Sequence, residues 1–176
     1  MLPGLPGTGR WPEQFGSGGG WDHQEGFVVE FSPEGKSAWV GNFQPGAGHC
    51  NAVLPLPDAN RFIVIARGHG FIVDITERAL LATFGGRIHS FVPAPEDGLL
   101  IFESGTDLEA WDAKAGVMCW RTARISRDGL RNLRVICGQI EGEAWNPAPD
   151  RWTPFSIDLR TGKVNGGSYR ISRPTT

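Results

Sequence analysis

The residues of this chain with chemistry beyond packing are four histidines, a scatter of carboxylates, three cysteines and a run of arginines. His49, His69 and His89 stand at intervals of 20 residues, with His23 ahead of them. Imidazoles repeated at one spacing can reach a common rim, where with Asp22 or Asp107 they would ligate a metal. No HxH or HxxxH pair accompanies them, so solvated turn histidines are the expectation and no metal ligand is assigned. Asp58, Glu77, Glu96, Asp97, Asp107, Asp112, Asp128 and Asp158 recur where turns are expected. A pair such as Glu96–Asp97 serves glycoside hydrolysis only if the fold sets two acids across a cleft. Capping turns is the simpler role.

Cys50, Cys119 and Cys137 are odd in number and form no CxxC pair, which reads as three reduced thiols. Cys119 and Cys137 read as buried strand residues, and no basic neighbourhood or helix start activates any of the three. The glycines of 16–20 lack the Gly-Lys-Ser/Thr ending of a phosphate loop, and no strand leads into them. GxSxG, HExxH and dinucleotide fingerprints are missing too. No catalytic residue and no cofactor is assigned.

Arg121, Arg124, Arg127, Arg131 and Arg134 make a basic run whose spacings of three and four suit one face of a short helical turn or a connecting loop. Trp145 and Trp152 flank the proline-rich stretch Asn146–Asp150, read as a projecting loop. Tryptophan and arginine supply contact area for a protein partner. Trp145, Trp152, Arg124, Arg127 and Arg131 are the expected partner-binding residues; the alternative is that the arginines form a solvated or ion-paired face and the tryptophans pack the loop onto its own sheet. Asp128 interrupts the run and the net charge is -2, which favours a protein over nucleic acid.

These residues must be positioned by short strands. Among 176 residues there are 25 glycines, 13 prolines and 7 tryptophans, with 40% apolar and 20% charged. That is the profile of a globular domain with frequent turns and many short, aromatic-bearing strands. The clearest unit is Asp107–Thr122, which reads as strand, tight turn, strand, with Asp112 and Gly116 bracketing the turn. Phe27–Phe31 and Lys36–Val40 read as a hairpin about Ser32–Gly35.

At a period of 38 residues, Pro55 and Pro57 fall on Pro93 and Pro95, Phe62–Ala66 on Leu100–Ser104, Phe71–Asp74 on Glu109–Asp112, and Ala79–Ala82 on Val117–Trp120. A third copy places strands at Leu133–Ile136, Gln139–Trp145 and Thr153–Asp158. Asp158 lies 46 residues after Asp112, and the loop 146–152 is expected to absorb the excess.

The stretch Ala110–Trp120 resembles the blade motif of β-propellers of the pyrroloquinoline-quinone-type and WD-like classes. Asp158–Gly162 resembles the same turn, and Asp74–Arg78 is a degraded copy with Arg78 in place of Gly. Trp120-Arg-Thr, Asp128-Gly-Leu and Trp152-Thr-Pro-Phe add a likeness to small bacterial half-propeller-like proteins. The resemblance covers about residues 27–167. It implies an all-β fold of three to four antiparallel blade-like repeats forming an open or partial propeller, with Asp74, Asp112, Gly116, Asp158 and Gly162 as repeat turns. It implies no cofactor residues. A twisted β-sandwich of the same hairpins is the alternative.

Organisation follows as an irregular Gly/Pro-rich arm over 1–26, a single repeat domain over 27–170 and a tail over 171–176. Trp11, Phe15 and Trp21 are either solvated or pin that arm onto a sheet. End sheets are expected to expose apolar faces unless another segment or chain covers them. No basic leader precedes an apolar run, and no stretch approaches the roughly 18 apolar residues of a membrane span, so a cytoplasmic protein is expected. The expected function is a non-enzymatic interaction module, such as an inhibitor or immunity-type partner of a bacterial toxin. The alternatives are a small-ligand binder or hydrolase using loop His and Asp residues, and a homodimer that completes a ring.

Overall fold

The computed structural model of the chain describes Met1 and residues 11–16, 24–57 and 60–169. Fifteen strands and a 3-10 turn at Pro95–Asp97 are the regular elements among the described residues. The chain divides into two compact units, Met1–His89 and Ser90–Thr176.

In the first unit, β1 (Glu13–Phe15), β2 (Phe27–Phe31) and β3 (Trp39–Phe43) form a sheet of order β1-β3-β2. Next come β4 (Ala52–Pro55), β5 (Arg61–Ala66), β6 (His69–Asp74) and β7 (Ala79–Gly85), a sheet in sequential order. The second unit repeats this plan twice. Its first sheet is β8 (Ser90–Ala94), β9 (Leu99–Glu103), β10 (Leu108–Asp112) and β11 (Val117–Arg121). The other is β12 (Leu130–Ile136), β13 (Gln139–Asn146), β14 (Arg151–Asp158) and β15 (Val164–Gly166).

Each sheet is one contiguous stretch of chain folded back on itself, apart from the added β1. Sandwiches exchange strands between sheets, whereas propeller blades do not. The fold is all-β and blade-like, with three four-stranded antiparallel sheets and one three-stranded sheet among the described residues.

Strand alternation decides which side chains meet. In the first unit Phe15, Val29, Phe31, Trp39 and Phe43 pack on Val64, Ala66, Phe71, Val73 and Ile75. Phe15 stacks on Phe43 at 4.7 Å, and Phe43 meets the edge of Phe71 at 5.3 Å. In the second unit Ile101, Leu108 and Ala110 pack on Ile140, Ala144, Phe155 and Ile157. Each large side chain fully buried here contributes about 1.5–3 kcal/mol.

An indole hydrogen bond recurs within each unit. Trp39 Nε1 donates to the Ile75 carbonyl at 2.8 Å, and Trp120 Nε1 to the Leu159 carbonyl at 2.7 Å. Both acceptors immediately follow a repeat aspartate. Those aspartates share one role. Asp74 Oδ1 accepts the amides of Thr76 and Glu77, Asp112 Oδ1 those of Lys114 and Ala115, and Asp158 Oδ1 the amide and hydroxyl of Thr161. Gly116 and Gly162 close their turns at φ 69, and Arg78 adopts the same conformation at φ 56. A side chain there costs about 1–2 kcal/mol. The Arg78 guanidinium stands 5.9 Å from the Trp39 ring and 3.8 Å from Glu13, contacts that offset part of this.

Several expectations are corrected. The second strand of the opening hairpin is Trp39–Phe43 rather than Lys36–Val40, because Trp39 and Phe43 are the residues the core buries. The stretch 1–26 is not wholly irregular: β1 pairs parallel with β3, and Phe15 is buried while Trp11 stays 89% exposed. Trp21 and the tail 171–176 lie outside the described residues. The excess length of the last repeat is not a projecting loop. Strands of eight residues replace strands of five, leaving only 147–150 as a tight turn.

Cys119 and Cys137 are exposed rather than buried. Cys119 is the additional residue of a bulge on edge strand β11, and Cys137 occupies a turn position at φ 47. Replacing Trp39 by Phe should keep most of the ring burial but strand the Ile75 carbonyl. Urea denaturation should show a loss of about 1–3 kcal/mol, and Trp11→Phe should show none.

Candidate interaction surface

The β12–β15 sheet has one face in the core and one facing outward. The outward residues are Arg131 and Arg134 on β12, Glu141, Glu143 and Trp145 on β13, Trp152, Pro154 and Ser156 on β14, and Asn165 on β15. This face carries charged and polar side chains beside the two tryptophans and Pro154. The reason is plain in β13, where Gln139, Glu141 and Glu143 alternate with buried Ile140, Gly142 and Ala144.

An open basin of about 610 Å³ crosses this face, lined by Asn132, Arg134, Glu141, Glu143, Ser156 and Asn165. At its margin Arg131 Nε bonds Glu143 Oε2 at 2.9 Å, and its guanidinium lies 4.0 Å over the Trp152 ring. Trp152 in turn packs on its cross-strand neighbour Trp145 at 5.1 Å. Both indoles are half-buried. Hydrogen bonds from Arg131 and then Asn132 hold the Glu143 carboxyl below the usual carboxylate range. Arg134 and Glu141 stand opposite each other in register. Among the described residues neither side chain forms an ion pair or hydrogen bond.

The arginine run is not helical. Arg121 ends β11, where it bonds Asp107 at 2.7 Å and Glu109 at 3.3 Å. Burial alone would raise the Asp107 carboxyl, but hydrogen bonds from Ser104 and Arg121 outweigh it and hold the group below its ordinary value. Arg124 and Arg127 lie on a connection between β11 and β12 that Ser168 and Tyr169 fasten. Ser168 and Tyr169 amides donate to the Ile125 carbonyl, and the Arg127 amide donates to Ser168 Oγ. Arg124 donates to the carbonyls of Ser126 and Arg127 and sits 5.0 Å from the Tyr169 ring.

Of the five expected partner-binding residues, Arg131, Trp145 and Trp152 therefore share a face, while Arg124 and Arg127 belong to the strap. Glu141, Glu143, Asn132, Ser156 and Asn165 were not among the expected residues. Alternation in Gln139–Trp145 already aligned Glu141 and Glu143 with Trp145; the other three needed the strand register.

His49 and His89 come together, with ring centres 4.9 Å apart at 88°. His69 does not join them. It packs 4.3 Å from the Phe71 ring and donates to the Gln44 carbonyl; burial pushes its pKa below the ordinary value and that bond only partly restores it. His23 and Asp22 lie outside the described residues, as does Asp58. Asp107 belongs to the other unit. Glu96 and Asp97 sit exposed in the 3-10 turn. Among the described residues no three His, Cys, Asp or Glu side chains converge as a metal site would require.

No family model and no curated protein matches the chain. Solved structures do. Sqt1 of Saccharomyces cerevisiae matches with 13% identity over 66% of this chain and 33% of that one, at TM-score 0.47. The WD40 domain of Neurospora crassa Pan2 matches with 19% identity over 68% and 37%, at 0.44. BamB of Moraxella catarrhalis matches with 14% identity over 72% and 40%, at 0.46. The chain spans only about a third to two-fifths of these structures. The likeness concerns fold alone. No helix among the described residues is long and apolar enough to cross a membrane.

His69 yields a pH dependence. Its folded pKa is lowered, so the unfolded chain binds the proton more readily. Its contribution is complete above the unfolded value of about 6.5 and is lost as pH falls through the folded one. Urea midpoints measured from pH 7.5 to 5 should fall on acidification, and less steeply in His69→Gln.

Proposed function

We propose that this chain is a non-enzymatic interaction module that binds another protein through the outward face of the β12–β15 sheet. The carrying observation is the Arg131–Trp152–Trp145 cluster beside a basin lined by Arg134, Glu141 and Glu143, in which Arg134 and Glu141 face each other in register without forming an ion pair. Arginine and tryptophan dominate binding energy where they are already held in place, because little side-chain entropy remains to be lost. The opposite charges of Arg134 and Glu141 select a partner presenting the reverse pair. An inhibitor or immunity-type partner of a bacterial toxin is one form of this reading. The hydrolase reading has less support, since Asp74, Asp112 and Asp158 are engaged in holding turns.

The test is affinity purification from the native cell with a photo-crosslinker at Ser156, followed by light scattering of the purified chain. One partner crosslinked at Ser156 is expected, with binding weakened about ten-fold or more by Trp152→Ala and by the exposed charge reversal Glu141→Lys. A partner held equally well by both variants would overturn the proposal. A dimer that Glu141→Lys dissociates would replace the partner with a second copy of the chain.

A further inference from the structure

The geometry points to a divalent transition-metal site formed by His49 and His89, with water completing the coordination. Two imidazoles bound side by side to one ion, each nitrogen about 2.0–2.1 Å away, have ring centres about 5 Å apart. His49 and His89 already stand at 4.9 Å with their planes nearly perpendicular. His49 is exposed and His89 half-buried, so an ion has a path to both. Among the described residues neither imidazole hydrogen-bonds to another protein group, which leaves the ring nitrogens available.

The backbone beneath them is held from several sides. The Ile88 carbonyl, next to His89, accepts the amides of both His49 at 3.3 Å and Cys50 at 3.2 Å. Gly46, Ala47 and Gly48 donate in turn to the carbonyls of Ala66, Gly86 and Arg67, and Gly86 donates to Gly68. A side chain at Gly48 would collide with the Ile88 carbonyl, so the close approach that sets the two rings side by side depends on that glycine. Site preorganisation of this kind reduces what metal binding must spend on ordering. The pair belongs to a different part of the molecule from the β12–β15 face and stands independently of it.

Two imidazoles without a thiolate or carboxylate make a borderline donor set. Copper(II) should bind best, with nickel(II) and zinc(II) weaker, following the general order for nitrogen ligands. The ion would tie the 44–50 segment to the connection that follows β7 and raise the melting temperature by mass action.

The experiment titrates the purified full chain with copper(II), nickel(II) and zinc(II) chlorides, reading calorimetry, melting temperature and the copper paramagnetic resonance spectrum. One ion per chain is expected, with nitrogen couplings from two imidazoles, a raised melting temperature, and at least about ten-fold weaker binding in His49→Gln and in His89→Gln alike. His69→Gln should bind as the parent does. A site that survives in the His49→Gln/His89→Gln double variant, or that depends on only one of the two, would overturn the chelate. So would a spectrum with couplings from a single nitrogen. Circular dichroism of each variant confirms that lost binding is not lost folding.

Discussion

A small antiparallel sheet cannot bury its own apolar face, and this molecule solves that by laying one sheet on the next and pinning the pair through an indole. Trp39 donates to the carbonyl behind Asp74, and Trp120 to the carbonyl behind Asp158. In both units a ring from one sheet reaches the turn that closes two strands of the other. The turn must itself be rigid for the acceptor to stay in place. This gives the repeat aspartates their role, since each carboxylate gathers the hydrogens of its own turn and removes its freedom. Backbone amides of Ala115 and Lys114 hold the Asp112 carboxyl below its ordinary value. Packing, turn and clasp form one device, made twice.

The same logic governs the surface. A sheet that is covered on one side has alternate residues left for other work. In β12–β15 the outward set is charged and hydroxylic, with two tryptophans held against each other by register. Such a face resists indiscriminate association, because charges next to an open sheet penalise a mismatched neighbour. The edge strands are treated similarly. β7 and β11 each carry a bulge at equivalent positions, Leu81 and Cys119, and a bulge twists an edge away from a ready pairing geometry.

The glycine-bound crossing of 44–50 with 67–68 and 85–88 follows a different principle. There the backbone itself is the packing surface, and the amides and carbonyls of three segments satisfy one another directly. Glycines let the segments approach, the Ile88 side chain is buried against Gly85, and two histidines far apart in sequence become neighbours beside the crossing.

The sequence alone determined the blade. Alternation, the Pro55/Pro93 and Pro57/Pro95 matches and the Asp-to-Gly turn are local, and local patterns are decided by sterics and short-range hydrogen bonds that need no distant partner. Arg78 shows how far this reaches, since it takes the left-handed conformation that its glycine counterparts predict. Tertiary structure decided everything that depends on what lies opposite. Cys119 reads as a strand interior until a bulge turns it outward. Phe15 reads as a tail until β3 receives it, and the extra length near Trp145 becomes longer strands because the two indoles pair across them. The pairing of His49 with His89 and the separation of Arg131 from Arg124 were likewise beyond the sequence. Contacts between residues distant in the chain are set by register and by which face is covered, and neither is written in any short stretch of residues.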